Sequence, residues 1–317
     1  MNSTPQMVVT ALVVTYNSRD EIGNLLDSLP AAADGLDLRV VVVDNSSSDD
    51  TVALVEARGD ALVVPGGGNI GYAAGINVGR EHVAADNDAL AILNPDLVLE
   101  PGALRVMAEK IAADRSIGVV VPRVRNSDGS PFHSLRRNPR LVSQLGEAAF
   151  GASWASRPAF LGDTLRKPDD YSTERDVEWA SGAALMISRA CDAAVGEWRE
   201  DFFLYSEETD FARRARHAGY RVRYVPQAEC LHIGGASGSS PQLDALMEVN
   251  KLRDYESHHN PVASLAFRGL LTAQHAVRSK KKPGSKAALG YLLHRDTWGQ
   301  LPRGDAGVRT TDDPQEA

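Results

Sequence analysis

ALAILNPDLVLEP, residues 89–101, is the stretch whose reading decides the fold. Ala89–Leu93 is short, continuously apolar and preceded by the polar cluster Asp86, Asn87 and Asp88, the pattern of a strand buried in a parallel sheet. The strand ends at Asn94-Pro95-Asp96. Pro95 brings no N–H to a ladder and biases Asn94 toward extended backbone, so the chain is expected to leave the sheet here with Asp96 at its carboxyl edge. In open α/β sheets that edge binds ligands. Taken alone, Asn-Pro-Asp is also an ordinary turn signal.

Upstream, strand and helix alternate. Met7–Thr15 reads as the first central strand, followed by Tyr16-Asn17-Ser18 and a helix from about Asp20 to Leu29. Leu38–Val43 is a second strand ending in Asp44-Asn45-Ser46-Ser47-Ser48-Asp49, Thr51–Arg58 a helix, Ala61–Val64 a third strand and Tyr72–Ala85 a helix. This spacing predicts βαβ units: an α/β fold with a mostly parallel sheet, helices on both faces, and the polar strand ends on one edge. Asp44 and its neighbours can hydrogen-bond a nucleobase or cap the following helix. Gly66–Gly71 satisfies G-x-G-x-x-G. A dinucleotide-binding Rossmann enzyme carries that turn after its first strand, however, and here the first strand ends in Thr15-Tyr16-Asn17. The glycines imply a close approach to the backbone, either by a diphosphate or sugar at the helix N-terminus or by tight helix–sheet packing.

Downstream, Pro101–Ala113 reads as a helix and Gly118–Pro122 as a strand. Phe132–Lys167 lacks periodicity and is expected to be a mobile loop over the site or a connector. Glu178–Ser188 reads as a strand, with Trp179, Ser181 and Gly182 at its start as candidate ligand contacts; a Trp there more often packs in a core than serves as a ligand platform. In Asp201–Arg216, DFFLYSEETDFARRAR, a helix opens with Glu207, Glu208 and Asp210. Acids in a first turn suit the macrodipole, and Asp210 can pair with Arg213 or Arg214. The same acids beside an aromatic segment supply what a general base needs. Arg221–Pro226 is a strand, and His232, beside a glycine turn, is a structural histidine or a metal ligand.

The 317 residues suffice for one large α/β domain with an appendage. A net charge of −8 argues against nucleic acid as a partner. Cys191 and Cys230 form no CxxC and fit a reducing cytoplasm. No apolar run approaches the roughly 18–20 residues of a membrane span, so the expectation is a soluble or peripheral protein. Charge is uneven: Ser264–Arg295 holds Arg268, Arg278, Lys280, Lys281, Lys282, Lys286 and Arg295 with no acid. Such a segment suits an anionic membrane face or a solvated basic helix.

In this order the motifs resemble the inverting GT-A glycosyltransferases of family two, most closely the bacterial rhamnosyltransferase branch, over about residues 8–260. They are VVTYNS at 13–18, VVDNSSSDDT at 42–51, GGNIGYAAGINVG at 67–79, LNPD at 93–96, WASGAALMISR at 179–189, FFLYSEETDFARR at 202–214 and LHIGGAS at 231–237. The resemblance implies that Thr15, Tyr16, Asn17, Asp44 and Asn45 hold the donor's base and ribose, and that Gly71, Tyr72 and Asn77 lie near its diphosphate and sugar. It puts Asp96 at the metal-binding aspartate of the family's DxD motif, with Asn94 replacing the first Asp, and His232 at a second ligand to Mg²⁺ or Mn²⁺. Glu208 takes the place of the catalytic base within the pair Glu207-Glu208, with Asp210 as alternative.

The implied organisation is a leader at 1–6, a GT-A domain at 7–240, a partly basic helical extension at 241–296 and a disordered tail at 297–317. The implied function is transfer of L-rhamnose from dTDP-rhamnose to a glycan or polyprenyl-diphosphate-linked sugar in envelope polysaccharide assembly, in the cytoplasm or peripherally on the inner face of the plasma membrane. A homo-oligomer is left open. The rivals are a galactofuranosyl, hexosyl or N-acetylhexosaminyl transferase using a UDP-sugar, an NAD(P)-dependent oxidoreductase using Gly66–Gly71, and a catalytically silent sugar-nucleotide-binding protein.

Overall fold

Nine strands form the central sheet of the computed structural model, which describes residues 6–151, 158–234 and 240–304. In chain order the strands are β1 (Val8–Thr15), β2 (Asp37–Asp44), β3 (Leu62–Pro65), β4 (Ala89–Leu93), β5 (Leu97–Leu99), β6 (Ile117–Asn126), β7 (Leu135–Arg136), β8 (Arg175–Val177), β9 (Trp179–Ala180), β10 (Ala184–Ser188) and β11 (Arg221–His232). The sheet runs β3-β2-β1-β4-β10-β6-β11-β5, with β8 also on β11; β7 and β9 pair separately. β3, β2, β1, β4, β6 and β11 share one direction, and β10, β5 and β8 oppose it. The expected mostly parallel α/β sheet is therefore present, with β10 inserted antiparallel at its centre.

The helices are α1 (Arg19–Ala32), α2 (Thr51–Arg58), α3 (Tyr72–Arg80), α4 (Ala103–Ala113), α5 (Leu141–Phe150), α6 (Arg189–Val195), α7 (Glu207–His217), α8 (Pro241–His258), α9 (Pro261–Arg278) and α10 (Pro283–Leu293). Alternation along β1 explains why it reads as an unbroken apolar run. Val9, Ala11 and Val13 pack under α1 and α4 with Ile22, Leu25 and Met107, whereas Leu12 and Val14 pack on the other face with Ile76, Ile187 and Phe211. Each such fully buried aliphatic side chain contributes roughly 1.5–3 kcal/mol.

Three expectations change. Within Phe132–Lys167, expected to be a mobile loop or connector, the described residues hold β7, α5 and a bridge between Arg136 and Thr164, while residues 152–157 lie outside the described residues. Its helix is held tertiarily: the buried Gln144 side chain bonds Gln274 of α9. The strand expected at 178–188 breaks between Ala180 and Ala184, for a reason given below. Residues 297–304, expected to belong to a disordered tail, are packed: Trp298 bonds the Tyr291 carbonyl and Leu301 is buried beside Phe203, Leu246 and Val249. Residues 1–5 of the leader and 305–317 of the tail lie outside the described residues.

Among the described residues no helix is long and apolar enough to cross a membrane. α8, α9 and α10 pack around Leu252, Tyr255, Phe267, Leu271 and Leu292, with the Tyr255 and Phe267 rings stacked at 3.9 Å.

Candidate active site

The carboxyl ends of β1, β2 and β4 open into a cleft of about 300 Å³, lined by Thr15, Tyr16, Asn45, Tyr72, Asn94 and Asp96, among others. Thr15 and Asp44 are register partners, so their polar ends coincide. Thr15 Oγ1 donates to Asp44 Oδ1 at 2.9 Å, and the Ser47 N–H donates to Asp44 Oδ2 at 2.8 Å. Asn17 accepts from the Ser48 N–H at 2.8 Å. Before α2, Asp49 closes a local turn by accepting from the Thr51 N–H at 3.1 Å, and the N-cap residue Asp50 makes no side-chain cap. Asn45 donates to the Gly71 carbonyl at 3.0 Å, while its own Oδ1 is buried without a partner among the described residues. A ligand N–H fits that acceptor.

The glycine turn is explained by the protein itself. Gly71 has φ +91°, and a Cβ there would stand 2.5 Å from the Phe203 carbonyl oxygen. The Tyr72 N–H already donates to that oxygen at 2.8 Å, so this amide of α3 is occupied rather than turned to a diphosphate. Asn77 is also corrected. It is buried away from the cleft, bonding the Trp198 backbone N–H and carbonyl and Glu200 at 2.9 Å each, because it ties α3 to the segment before α7.

β5 pairs Leu97 with His232, which brings the imidazole against Asp96. His232 Nε2 lies 3.1 Å from Asp96 Oδ2. Asp96 is 3% exposed, and its Oδ1 has no hydrogen-bond partner among the described residues. An orphaned carboxylate oxygen beside an imidazole suits a divalent cation. Among the described residues no group of three or more metal-ligating side chains occurs, so an ion here needs ligand oxygens or water as well. Asn94 Oδ1 accepts from the Tyr72 hydroxyl at 3.0 Å.

The segment delivering α7 is strained. Phe203, Tyr205 and Ser206 all have positive φ, at 65°, 69° and 77°. The Leu204 N–H closes a three-residue turn onto the Phe202 carbonyl at 2.8 Å. Such backbone costs about 1–3 kcal/mol per residue and persists only where its surroundings fix it. Asn250 of α8, fully buried, fixes it by donating to the Phe202 and Leu204 carbonyls at 2.7 and 2.8 Å. α8 is held to α7 in turn by the buried Arg213–Asp254 pair at 2.7 Å.

Glu208 projects into a second cleft of about 340 Å³ with Trp179, Ser181, Arg136, Arg166 and Lys251. Gly182 stands between the two clefts. Its carbonyl lies 3.4 Å from the Tyr72 hydroxyl, and the Glu208 carboxylate lies against its backbone. A Cβ on Gly182 would come within 1.9 Å of Glu208 Oε1, so the break between β9 and β10 is the place where the carboxylate seats. Burial raises the Glu208 carboxyl above its ordinary range, while the Gly182 N–H and the Arg136 charge oppose the rise. Burial pushes Glu207 well above the carboxylate range, and the neighbouring Glu208 charge adds to it. Glu207 lines neither cleft. Asp210 is buried between Arg214 at 2.7 Å and Arg199 at 3.6 Å and also lines neither; its carboxylate is engaged structurally. Of the three acids, Glu208 alone meets a cleft.

Asn250, Arg136, Arg166 and Lys251 escape the sequence reading. For Asn250 a signal exists: an Asn in a helix interior competes with its own backbone and calls for another use of its amide.

The model of glycosyl transferase family 2 matches residues 10–184, the part carrying Thr15, Asp44, Asp96 and Gly182. The chain belongs to glycosyl transferase family 2. It is 30% identical over 235 residues to an N-acetylglucosaminyl-diphospho-decaprenol L-rhamnosyltransferase of Mycobacterium tuberculosis, covering 71% of this chain and 76% of the relative. It is 24% identical to the rhamnosyltransferase WbbL of Escherichia coli, covering 71% and 83%. Among solved structures, a mannosyltransferase of Pyrobaculum calidifontis in complex with GDP-mannose and Mn²⁺ shares the fold with a TM-score of 0.53 at 20% identity, over 92% of this chain and 76% of that one. The protein is thus a nucleotide-sugar-dependent glycosyltransferase of the GT-A fold. The oxidoreductase reading of Gly66–Gly71 is set aside, since that glycine turn packs against the chain's own backbone.

Proposed function

We propose that this family 2 enzyme transfers L-rhamnose from dTDP-rhamnose to a polyprenyl-diphosphate-linked N-acetylglucosamine, with inversion, in cell-envelope polysaccharide assembly. The observation carrying the mechanism is Glu208, seated against the Gly182 backbone where it meets the second cleft. An acceptor hydroxyl is a poor nucleophile near neutral pH. Glu208 takes its proton as the oxygen attacks the anomeric carbon from the face opposite the leaving nucleoside diphosphate. One displacement inverts that carbon, and no covalent enzyme intermediate is required. Thr15, Asn45 and Tyr16 line the nucleotide side, and Trp179 and Ser181 the acceptor side. Asp96 and His232 would hold Mg²⁺ or Mn²⁺, whose chemistry is to neutralise charge on the departing diphosphate.

Rhamnosyl transfer is supported by both relatives' names, and the lipid-linked acceptor by the mycobacterial relative's name. Peripheral attachment to the inner membrane face is supported by α9. Val262, Leu265 and Val277 are 80%, 71% and 80% exposed, and Lys280, Lys281 and Lys282 follow at its end. Each basic residue near an anionic surface contributes about 1 kcal/mol.

A thermal-shift titration with dTDP-rhamnose, UDP-sugars and NAD⁺, each with Mn²⁺ or chelator, tests the donor. The expected result is a metal-dependent rise, largest with dTDP-rhamnose. A rise with UDP-sugars alone would keep the mechanism and overturn the donor; donor binding without transfer would favour a silent binding protein.

A further inference from the structure

The second cleft holds three cations, and they are not alike. Lys251 is committed: its Nζ bonds Gln144 at 2.9 Å and lies 3.3 Å from Glu147 and 3.5 Å from Asp163. Arg136 and Arg166 have no carboxylate within ion-pair distance among the described residues. Arg136 bonds only the Thr164 hydroxyl, and Arg166 Nε is buried without a partner.

The two arginines share a face. Arg136 pairs across an antiparallel bridge with Thr164, and Arg166 lies two residues on, so both guanidinium groups project to the same side. Their fields already act on the neighbourhood. Burial, with Arg166 adding to it, holds Arg136 below the ordinary arginine range. Burial followed by Arg166 and Arg136 does the same to His133. Leaving a guanidinium partly buried and unpaired is costly, and the fork geometry of Arg matches phosphate oxygens bidentately.

We propose that Arg136 and Arg166 form the site for the acceptor's diphosphate, so that the lipid-linked substrate is held by its anionic linkage while the sugar hydroxyl reaches Glu208. The proposal rests on the acceptor reading given above and deepens it: the enzyme would recognise a diphosphate-linked acceptor rather than a neutral glycan end. Geometry agrees, because both arginines line the same cleft as Glu208, Trp179 and Ser181, while the nucleotide side opens separately at Asp96. Two charge-assisted bidentate contacts of this kind account for roughly 10- to 100-fold in affinity each.

The test is equilibrium binding of farnesyl diphosphate to the full chain in chelator without donor, for wild type, R166Q and R136Q/R166Q, with dTDP–Mn²⁺ binding measured in parallel. Wild type is expected to bind farnesyl diphosphate and not farnesol. R166Q should weaken binding about tenfold and the double variant at least about fiftyfold, with dTDP affinity changed less than twofold. R166Q keeps the test decisive should the double variant fold poorly, because Arg166 makes no side-chain hydrogen bond among the described residues. Inorganic pyrophosphate competing as strongly as farnesyl diphosphate would support the site and assign the lipid no part in it. Unchanged farnesyl diphosphate affinity in R166Q and the double variant, no binding by wild type, or loss of dTDP affinity alone would overturn the proposal. Failure of wild type to consume dTDP-rhamnose with any acceptor would count against the rhamnosyl reading alone, since the titration involves no turnover.

Discussion

The two clefts flanking Gly182 are built on opposite plans. On the proposed nucleotide side most polar groups pair with one another, Thr15 and Ser47 with Asp44, Asn17 with Ser48 and Tyr72 with Asn94, while Asn45 Oδ1 and Asp96 Oδ1 stay without partners among the described residues. These residues sit at neighbouring strand ends or at the start of a helix packed on them, so the cleft is organised by the sheet. On the acceptor side the groups come from β7, β9, α7, α8 and the segment at 163–166, and two arginines are left without acids among the described residues. The first cleft is preorganised by backbone register, and the second depends on how distant pieces are held. Each prediction below perturbs one side and asks whether the other responds.

The largest effect is expected at the boundary. Gly182→Ala puts a methyl where Glu208 Oε1 sits, and the side chain must swing away. Short of removing the base itself, this is the largest loss expected: transfer should fall about 100-fold while donor binding stays within twofold, because a displaced base loses catalysis and the nucleotide side is untouched. Steady-state kinetics with a donor titration checks this. Parallel loss of donor affinity would show that the clefts are not separable.

Next comes the tie from α8. Asn250→Ala removes the donors to the Phe202 and Leu204 carbonyls beneath the strained turn. The cost should be about 2–3 kcal/mol in denaturant unfolding, with a lower kcat and an unchanged affinity for dTDP. Unchanged stability would mean that the positive-φ turn holds itself.

The smallest effect concerns Glu207. Its folded carboxyl is raised well above its unfolded value, so the protonated form is favoured in the native state. That contribution is fully present below the ordinary glutamate range and is lost as pH rises through the raised value. Glu207→Gln should match wild type at low pH and exceed its stability at alkaline pH, the gap opening as pH rises through the raised value, seen in melting curves across pH. A pH-independent difference would contradict the assignment.

The same contrast explains what was legible. Ala89–Leu93, Thr15 and Asp44 could be read because two-sided burial gives continuous apolar runs, and strands that end together bring their polar residues together. Asp96 and His232 could be matched through motif order, though β5, which joins them, is only Leu97–Leu99 and too short to signal itself. Asn77 was misplaced because its amide satisfies a backbone segment over a hundred residues away. Asp210 resembled a base only in sequence; two arginines claim it in space. The described parts of Phe132–Lys167, residues 132–151 and 158–167, hid ordered structure because tertiary contacts, such as Gln144 with Gln274, secure it where periodicity does not.

The central claim is that one carboxylate, Glu208, performs proton removal between two separable clefts. The most direct measurement compares Glu208→Gln with wild type for dTDP-rhamnose binding in Mn²⁺ and for transfer to a diphosphate-linked acceptor. The account predicts donor affinity within twofold of wild type and transfer reduced by about 10²–10⁴-fold. Transfer within a few-fold of wild type, or donor affinity lost in proportion to activity, would contradict it.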